Sequence, residues 1–147
     1  MSDDIKKQQK LKILVAGGAG YLGGALTDLL VKNGYEVTVY DNLLYEDRYL
    51  KPIPFIYGDV RDYKKLLPII NNFDIVVWLA AIVGDEACAI EPYYTKAIYV
   101  DSVKWLTDNY KGKIIFTSTC SVYGANHQVL DESAELNPLS FYAETKA

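Results

Sequence analysis

The 147 residues carry a net charge of −4 with no basic cluster, which speaks against nucleic acid as the partner. Half are hydrophobic and 23% charged, an ordinary globular composition for one domain that buries roughly 70% of its unfolded surface. The longest apolar run, residues 75–83, falls far short of the ~18 residues of a membrane span, and residues 1–10 lack a secretory apolar region, so a soluble cytoplasmic chain with no membrane partner is expected.

Residues 1–11 read as a polar segment and 12–147 as one domain. The domain opens on an apolar run of strand length, Lys12–Ala16, that breaks into glycines. Leu22, Leu26, Leu29 and Leu30 then recur at i, i+4, i+7 and i+8, the spacing of one helix face, over residues 21–33. Asn33 and Gly34 are a plausible C-cap. Strand, tight turn and helix make a cradle for a pyrophosphate: glycine lets the backbone approach a ligand, and free amides and the helix dipole favour an anion. Two registers fit, Gly18, Gly20 and Gly23 or Gly17, Gly20 and Gly23. A second strand, residues 36–41, ends in Asp41, an acid about 20 residues past the glycines where a ribose 2′-hydroxyl partner is expected; it favours NAD and would repel the 2′-phosphate of NADP.

Strand and helix continue to alternate, with strands expected at 54–58, 74–80 and 113–118. Helices are expected at 62–72, 91–110 and from Ser140 onward. This predicts an α/β fold, a Rossmann-like doubly wound parallel sheet. Pro92 suits a helix start, whereas Pro68 should kink or shorten its helix. Ligands of such sheets lie beyond the carboxyl ends of the strands. Strand three exits through Gly58, Asp59, Val60 and Asp62, where a carboxylate suits an adenine amino group or a helix cap, the cap being the role read for Asp62. Strand four exits through Leu79, Ala80, Ala81, Ile82, Val83 and Gly84, small enough in part for backbone to pass near ribose and phosphate. Cys88 and Cys120 are too few and too far apart for a structural zinc site or a disulfide framework and are expected reduced. His127 reads as a solvated loop residue, and no metal site is expected.

Strand five runs into Thr117, Ser118 and Thr119, placing hydroxyls at the same edge. With Ser140 as N-cap, Tyr142 and Lys146 stand at i and i+4 on one helix face. A nearby ammonium favours a phenolate, so the pair could serve as a general base, with Thr119 bonding the reacting oxygen.

Taken in this order, the glycine turn, Asp41 and Asn42, Asp59 and Val60, Leu79 to Ala81, residues 118–124 and the Tyr142/Lys146 pair resemble the N-terminal part of an extended short-chain dehydrogenase/reductase of the NAD-dependent epimerase/dehydratase family. The resemblance implies that Gly17, Gly20 and Gly23 form the cofactor turn, with pyrophosphate contacts at Tyr21 and Leu22. It further implies adenosine ribose contacts at Asp41 and Asn42, adenine at Asp59 and Val60, and nicotinamide-side contacts at Leu79, Ala80, Ala81 and Ser118. Thr119, Tyr142 and Lys146 would be the catalytic triad, the last two also touching NAD. Tyr99 departs from the pattern, standing where the family often has asparagine, and is read as a packing residue.

The implied reaction is oxidation of a nucleotide-sugar hydroxyl by bound NAD followed by return of the hydride. The expected substrate is a UDP-, dTDP- or GDP-linked sugar, and the intact protein a homodimer. Dehydratases of the family place Asp-Glu after the catalytic threonine; Cys120 and Ser121 follow Thr119 here, which favours an epimerase. A dehydratase, a reductase and a non-catalytic NAD-binding module are the rival readings. Because the chain stops one residue past Lys146, it is read as the cofactor-binding part with the substrate portion absent, and inactive alone.

Overall fold

A computed structural model of the chain describes residues 10–82 and 90–147. The expectations for residues 1–9, for Val83 and Gly84 and for Cys88 lie outside the described residues. Five parallel strands, β1 (Lys12–Ala16), β2 (Glu36–Asp41), β3 (Phe55–Tyr57), β4 (Ile75–Trp78) and β5 (Lys113–Phe116), pair in the order β3-β2-β1-β4-β5. The chain builds outward from β1 on one side, then returns to place β4 on the other. That reversal opens a crevice above the carboxyl ends of β1 and β4.

Period-2 alternation sends β1 side chains to opposite faces. Ile13 and Val15 join Val37 and Val77 beneath helix α1 (Tyr21–Lys32), where Leu26 and Leu30 pack. Leu14 and Ala16 join Tyr40, Val76 and Trp78 on the other face, covered by α2 (Tyr63–Ile70) and by the helical run from Pro92 to Asn109. No helix among the described residues is long and apolar enough to cross a membrane.

The α1 stripe differs from the leucine face read in the sequence. Gly23 and Thr27 are its buried residues, flanked by Leu26 and Leu30, while Leu22 is 64% and Leu29 57% exposed. Close approach explains the shift: a Cβ on Gly23 would lie 2.5 Å from Gly18 Cα, so the helix seats on its glycine and the stripe turns away from Leu22. The helix ends as expected. Gly34 has φ +86°, its amide donates to the Val31 carbonyl and the Tyr35 amide to that of Leu30, a Schellman motif.

Asp62 caps α2 through the Lys65 amide at 3.1 Å, and α2 ends at Ile70, two residues short of expectation, with Pro68 in its last turn. The single helix expected over 91–110 is three pieces. α3 (Pro92–Lys96), with Pro92 in its first turn, and α4 (Ser102–Asn109) are joined by a π turn, Ala97–Asp101. The Ser102 amide bonds the Ala97 carbonyl, five residues back, and the Ser102 hydroxyl takes the Ile98 carbonyl that an α-helix would have given that amide. Ser140 caps α5 (Phe141–Lys146) through the Ala143 amide at 3.2 Å.

Gly17 and Gly34 both occupy the left-handed region, but only Gly17 is crowded: its Cβ would lie 2.5 Å from the Ala80 nitrogen, whereas nothing stands within 4 Å of that position on Gly34. Gly34→Ala should cost about 1 kcal/mol for backbone strain alone, and Gly17→Ala about 3 kcal/mol or more, since two backbones must separate. Urea unfolding of both variants checks this, and equal losses would contradict it.

Candidate dinucleotide cleft

The crevice is a cavity of about 720 Å³ at the carboxyl edge of the sheet. Its first wall is the glycine turn. Gly17 donates to the Tyr40 carbonyl at 2.8 Å and Ala19 to Asp41 Oδ2 at 3.0 Å, which ties the turn to the end of β2. A twelve-residue helix begins at Tyr21, and helix geometry leaves the Tyr21, Leu22 and Gly23 amides without intrahelical acceptors. Gly20 is open, the nearest atom to an added Cβ being the Gly17 carbonyl oxygen at 3.7 Å. Free amides, the positive end of the helix dipole and an unobstructed approach are features that suit an anionic group.

The second wall carries carboxylates. Asp41 Oδ1 accepts from the Leu43 amide at 2.7 Å, so both oxygens are anchored by backbone and the side chain is preset at the cavity. Asn42 accepts from the Leu44 amide at 3.2 Å and donates to Asp59 Oδ2 at 3.3 Å. Asp59 is gripped by Arg61: Oδ1 accepts from its amide at 2.9 Å and Nε at 2.8 Å, Oδ2 from the guanidinium terminus at 2.7 Å. Arg61 in turn lies 4.1 Å from the Tyr94 ring centroid. These charge-assisted bonds hold the Asp59 carboxyl below its ordinary range, against the opposing effect of burial. Tyr40 donates to the Asp59 carbonyl at 2.9 Å, and burial, then the charges of Asp62 and Asp59, push its pKa up to about 12, keeping it a donor.

The third wall comes from β4, β5 and α5. Leu79 donates to the Ala16 carbonyl at 2.8 Å, after which Ala80 and Ala81 pass along the cavity. Thr117, Ser118, Tyr142 and Lys146 face it from the other strand and the last helix. The Ser118 hydroxyl donates to the Lys146 carbonyl at 2.9 Å, joining the end of α5 to the sheet. Lys146 is 6% exposed; its ammonium donates to the Thr117 carbonyl at 2.9 Å and stands 4.6 Å from the Phe116 ring centroid.

Gly17, Gly20, Gly23, Tyr21, Leu22, Asp41, Asn42, Asp59 and Val60 thus line one cavity with Leu79, Ala80, Ala81, Ser118, Tyr142 and Lys146. Thr119 does not join them. It caps the short 3₁₀ turn Cys120–Tyr123, its hydroxyl accepting from the Ser121 amide and donating to the Ser121 hydroxyl, both at 3.3 Å. Cys120 is free and exposed, as is His127 exposed. The residues alone did not point to the loop wall Leu43, Leu44, Tyr45 and Glu46, or to Ile98, while Ile82, on the strand-four exit, lines the cavity as well. The one available signal was the acid at the end of β2, since Leu43 turns to φ 54° to put its amide on Asp41, a fold-back that no glycine announces.

Fold and cleft define a Rossmann-type dinucleotide-binding domain. The chain belongs to the NAD dependent epimerase/dehydratase family, whose family model matches residues 13–147, and NAD is the cofactor of that family. It is 35% identical over 144 residues to the UDP-glucose 4-epimerase of Halalkalibacterium halodurans, covering 92% of this chain and 43% of that protein. It is 33% identical over 123 residues to the UDP-N-acetyl-alpha-D-glucosaminuronate decarboxylase of Bacillus cytotoxicus, covering 78% and 38%. The crystal structure of UDP-glucose 4-epimerase from Brucella ovis in complex with NAD superposes with a TM-score of 0.84 at 28% identity, covering 92% and 44%. The chain therefore spans less than half the length of these relatives.

The Asp59 geometry has a pH consequence. A carboxyl whose folded pKa is lowered adds stability above its unfolded pKa, near ~3.9, and loses it as pH falls through the folded value. Asp59→Asn should lower the urea midpoint at pH 7 and flatten its decline below about pH 4; parallel pH profiles of the two proteins would contradict the assignment.

Proposed function

We propose that this chain is the NAD-binding part of a nucleotide-sugar epimerase. The observation that carries the reading is that one cavity joins the N-terminus of α1 to Tyr142 and Lys146. The residues present fit the cofactor: Gly20 leaves the approach open, the first amides of α1 are unspent, and Asp41 is anchored where a ribose diol would meet an acceptor. Tyr21 and Leu22 would hold the pyrophosphate through their amides, Asp41 and Asn42 the adenosine ribose, and Asp59 and Val60 the adenine. Asp59 would do so while keeping Arg61 as its partner. Leu79, Ala80, Ala81 and Ser118 would border the nicotinamide end. NAD, when bound, supplies the hydride acceptor, and in its reduced form the donor.

The rest falls to side chains. Tyr142 would take the proton of the sugar hydroxyl and later return it, with Lys146 holding positive charge beside it. Thr119 would bond the developing carbonyl oxygen, exchanging its Ser121 partner for the substrate. UDP-linked sugars are the proposed substrates, in keeping with the names of the relatives, with dTDP- and GDP-sugars as competitors in any assay. Cytoplasmic location and a homodimer when intact belong to the same reading. A second reading, an NAD-binding unit without catalysis, is favoured by Thr119 lying off the cavity and bonded locally.

Calorimetric titration should find NAD binding tighter than NADP, with Asp41→Ala narrowing the gap by removing ribose hydrogen bonds and the repulsion of a 2′-phosphate. An NADP preference in the unmodified chain would overturn the cofactor assignment.

In a longer protein that includes a sugar-binding portion, Tyr142→Phe should retain NAD and lose roughly 10² to 10⁴-fold in turnover. The 147-residue chain alone should turn over none of a panel of UDP-, dTDP- and GDP-sugars, because positioning accounts for ~7–11 kcal/mol of such barriers. Equal turnover by chain and longer protein would refute this division of labour.

A further inference from the structure

Tyr99 makes three contacts that converge on the carboxyl edge of the sheet. It lies on the π turn and is 2% exposed. The Lys146 ammonium stands 4.5 Å from its ring centroid. The Tyr142 ring forms a T-shaped pair with it, with centroids 5.9 Å apart and planes at 79°. Its hydroxyl donates to the carbonyl of Ile82, on the segment leaving β4.

A residue that only fills space needs none of these features. Taking an ammonium out of water is costly unless oxygen acceptors or aromatic faces replace the lost hydration. Around Lys146 those replacements come from two directions in the chain: the Thr117 carbonyl and the Phe116 ring from β5, and the Tyr99 ring from the π turn. The π turn belongs to this arrangement. Its extra residue per turn, held by the Ser102 hydroxyl on the Ile98 carbonyl, accompanies the burial of both Ile98 and Tyr99 against the strand ends. The Tyr99 hydroxyl then anchors the ring to the segment leaving β4, which fixes its orientation.

We propose that Tyr99 is a positioning residue for the proton-transfer pair, its ring holding the Lys146 ammonium at the cavity wall and its T-shaped contact fixing Tyr142. The role of the pair rests on the function proposed above; the contacts do not. The ring does the holding and the hydroxyl orients the ring. Phenylalanine should therefore preserve most of the effect and leucine should remove most of it; the Lys146 resonance separates this from packing alone, which the leucine variant would also disturb.

The test uses the 147-residue chain with isotope-labelled lysine and NADH as the probe. In the unmodified protein the Lys146 ε protons should resonate upfield through ring currents and show dipolar contact with the Tyr99 ring. Tyr99→Phe should keep the upfield shift and hold NADH affinity within about twofold. Tyr99→Leu should reduce the shift and weaken NADH binding about tenfold, a value between those of an exposed and a desolvated cation–π contact. Absence of the Lys146–Tyr99 contact in the unmodified chain, or a leucine variant with shift and affinity unchanged, would overturn the proposal. Should the leucine variant fail to fold, the contact in the unmodified chain together with the phenylalanine variant decides. If the unmodified chain takes up no NADH, the nucleotide assignment fails by itself, and the Lys146 resonances still decide whether Tyr99 holds the ammonium.

Discussion

No side chain fits between Gly17 and the backbone of Ala80, and the cleft depends on that closeness. With only hydrogen on its α-carbon, Gly17 leaves β1 in a left-handed turn directly against the chain leaving β4. The same residue bonds the Tyr40 carbonyl, so the ends of three strands are tied at one point. From there the turn can deliver α1 with its first amides toward the crevice, while Ala80 and Ala81 run past without filling it. A bulkier residue at Gly17 would push β1 and β4 apart where strand order reverses, and the crevice would lose its floor.

Polar groups around the cavity are held by partners that leave its centre open. Asp41 is anchored by two amides, Asp59 by a guanidinium that itself rests on Tyr94, and Lys146 by a carbonyl and two aromatic faces. A preset polar site of this kind binds without first reorganising, which lowers the cost of ordering a flexible dinucleotide. Acidic groups at one end and an ammonium at the other also give the cleft a direction.

Much of this was legible in the residues because the signals were local. β1 and β2 match their expected bounds, as short apolar runs closed by glycines or an acid specify strand ends. Asp62, Ser140 and Gly34 announced their helix ends because a side-chain oxygen or a missing Cβ does the work at that position. What escaped depended on tertiary contact or on local bonds that leave no mark in the sequence. The leucine spacing of α1 gave a stripe rotated from the buried one, because Gly23 rather than a leucine seats the helix. The π turn has no glycine or proline to mark it, and the serine hydroxyl that bonds the Ile98 carbonyl there cannot be told in sequence from any other serine in a helical run. The family motif placed Thr119 at the cleft, but its hydroxyl finds a nearer partner in Ser121. Tyr99 read as packing because spacing in one dimension could not bring it under Lys146 and against Tyr142 together.

The central claim is that the crevice between the ends of β1 and β4 receives NAD. Amide NMR of the labelled chain during titration with NAD tests it most directly, since each wall carries its own reporters. Saturable shifts are expected at Gly20, Tyr21, Leu22, Ala80 and Ala81, with Lys12, Glu36 and Ile53 at the opposite edge of the sheet unmoved. Shifts concentrated at that opposite edge, or none at the glycine turn at saturating NAD, would contradict it.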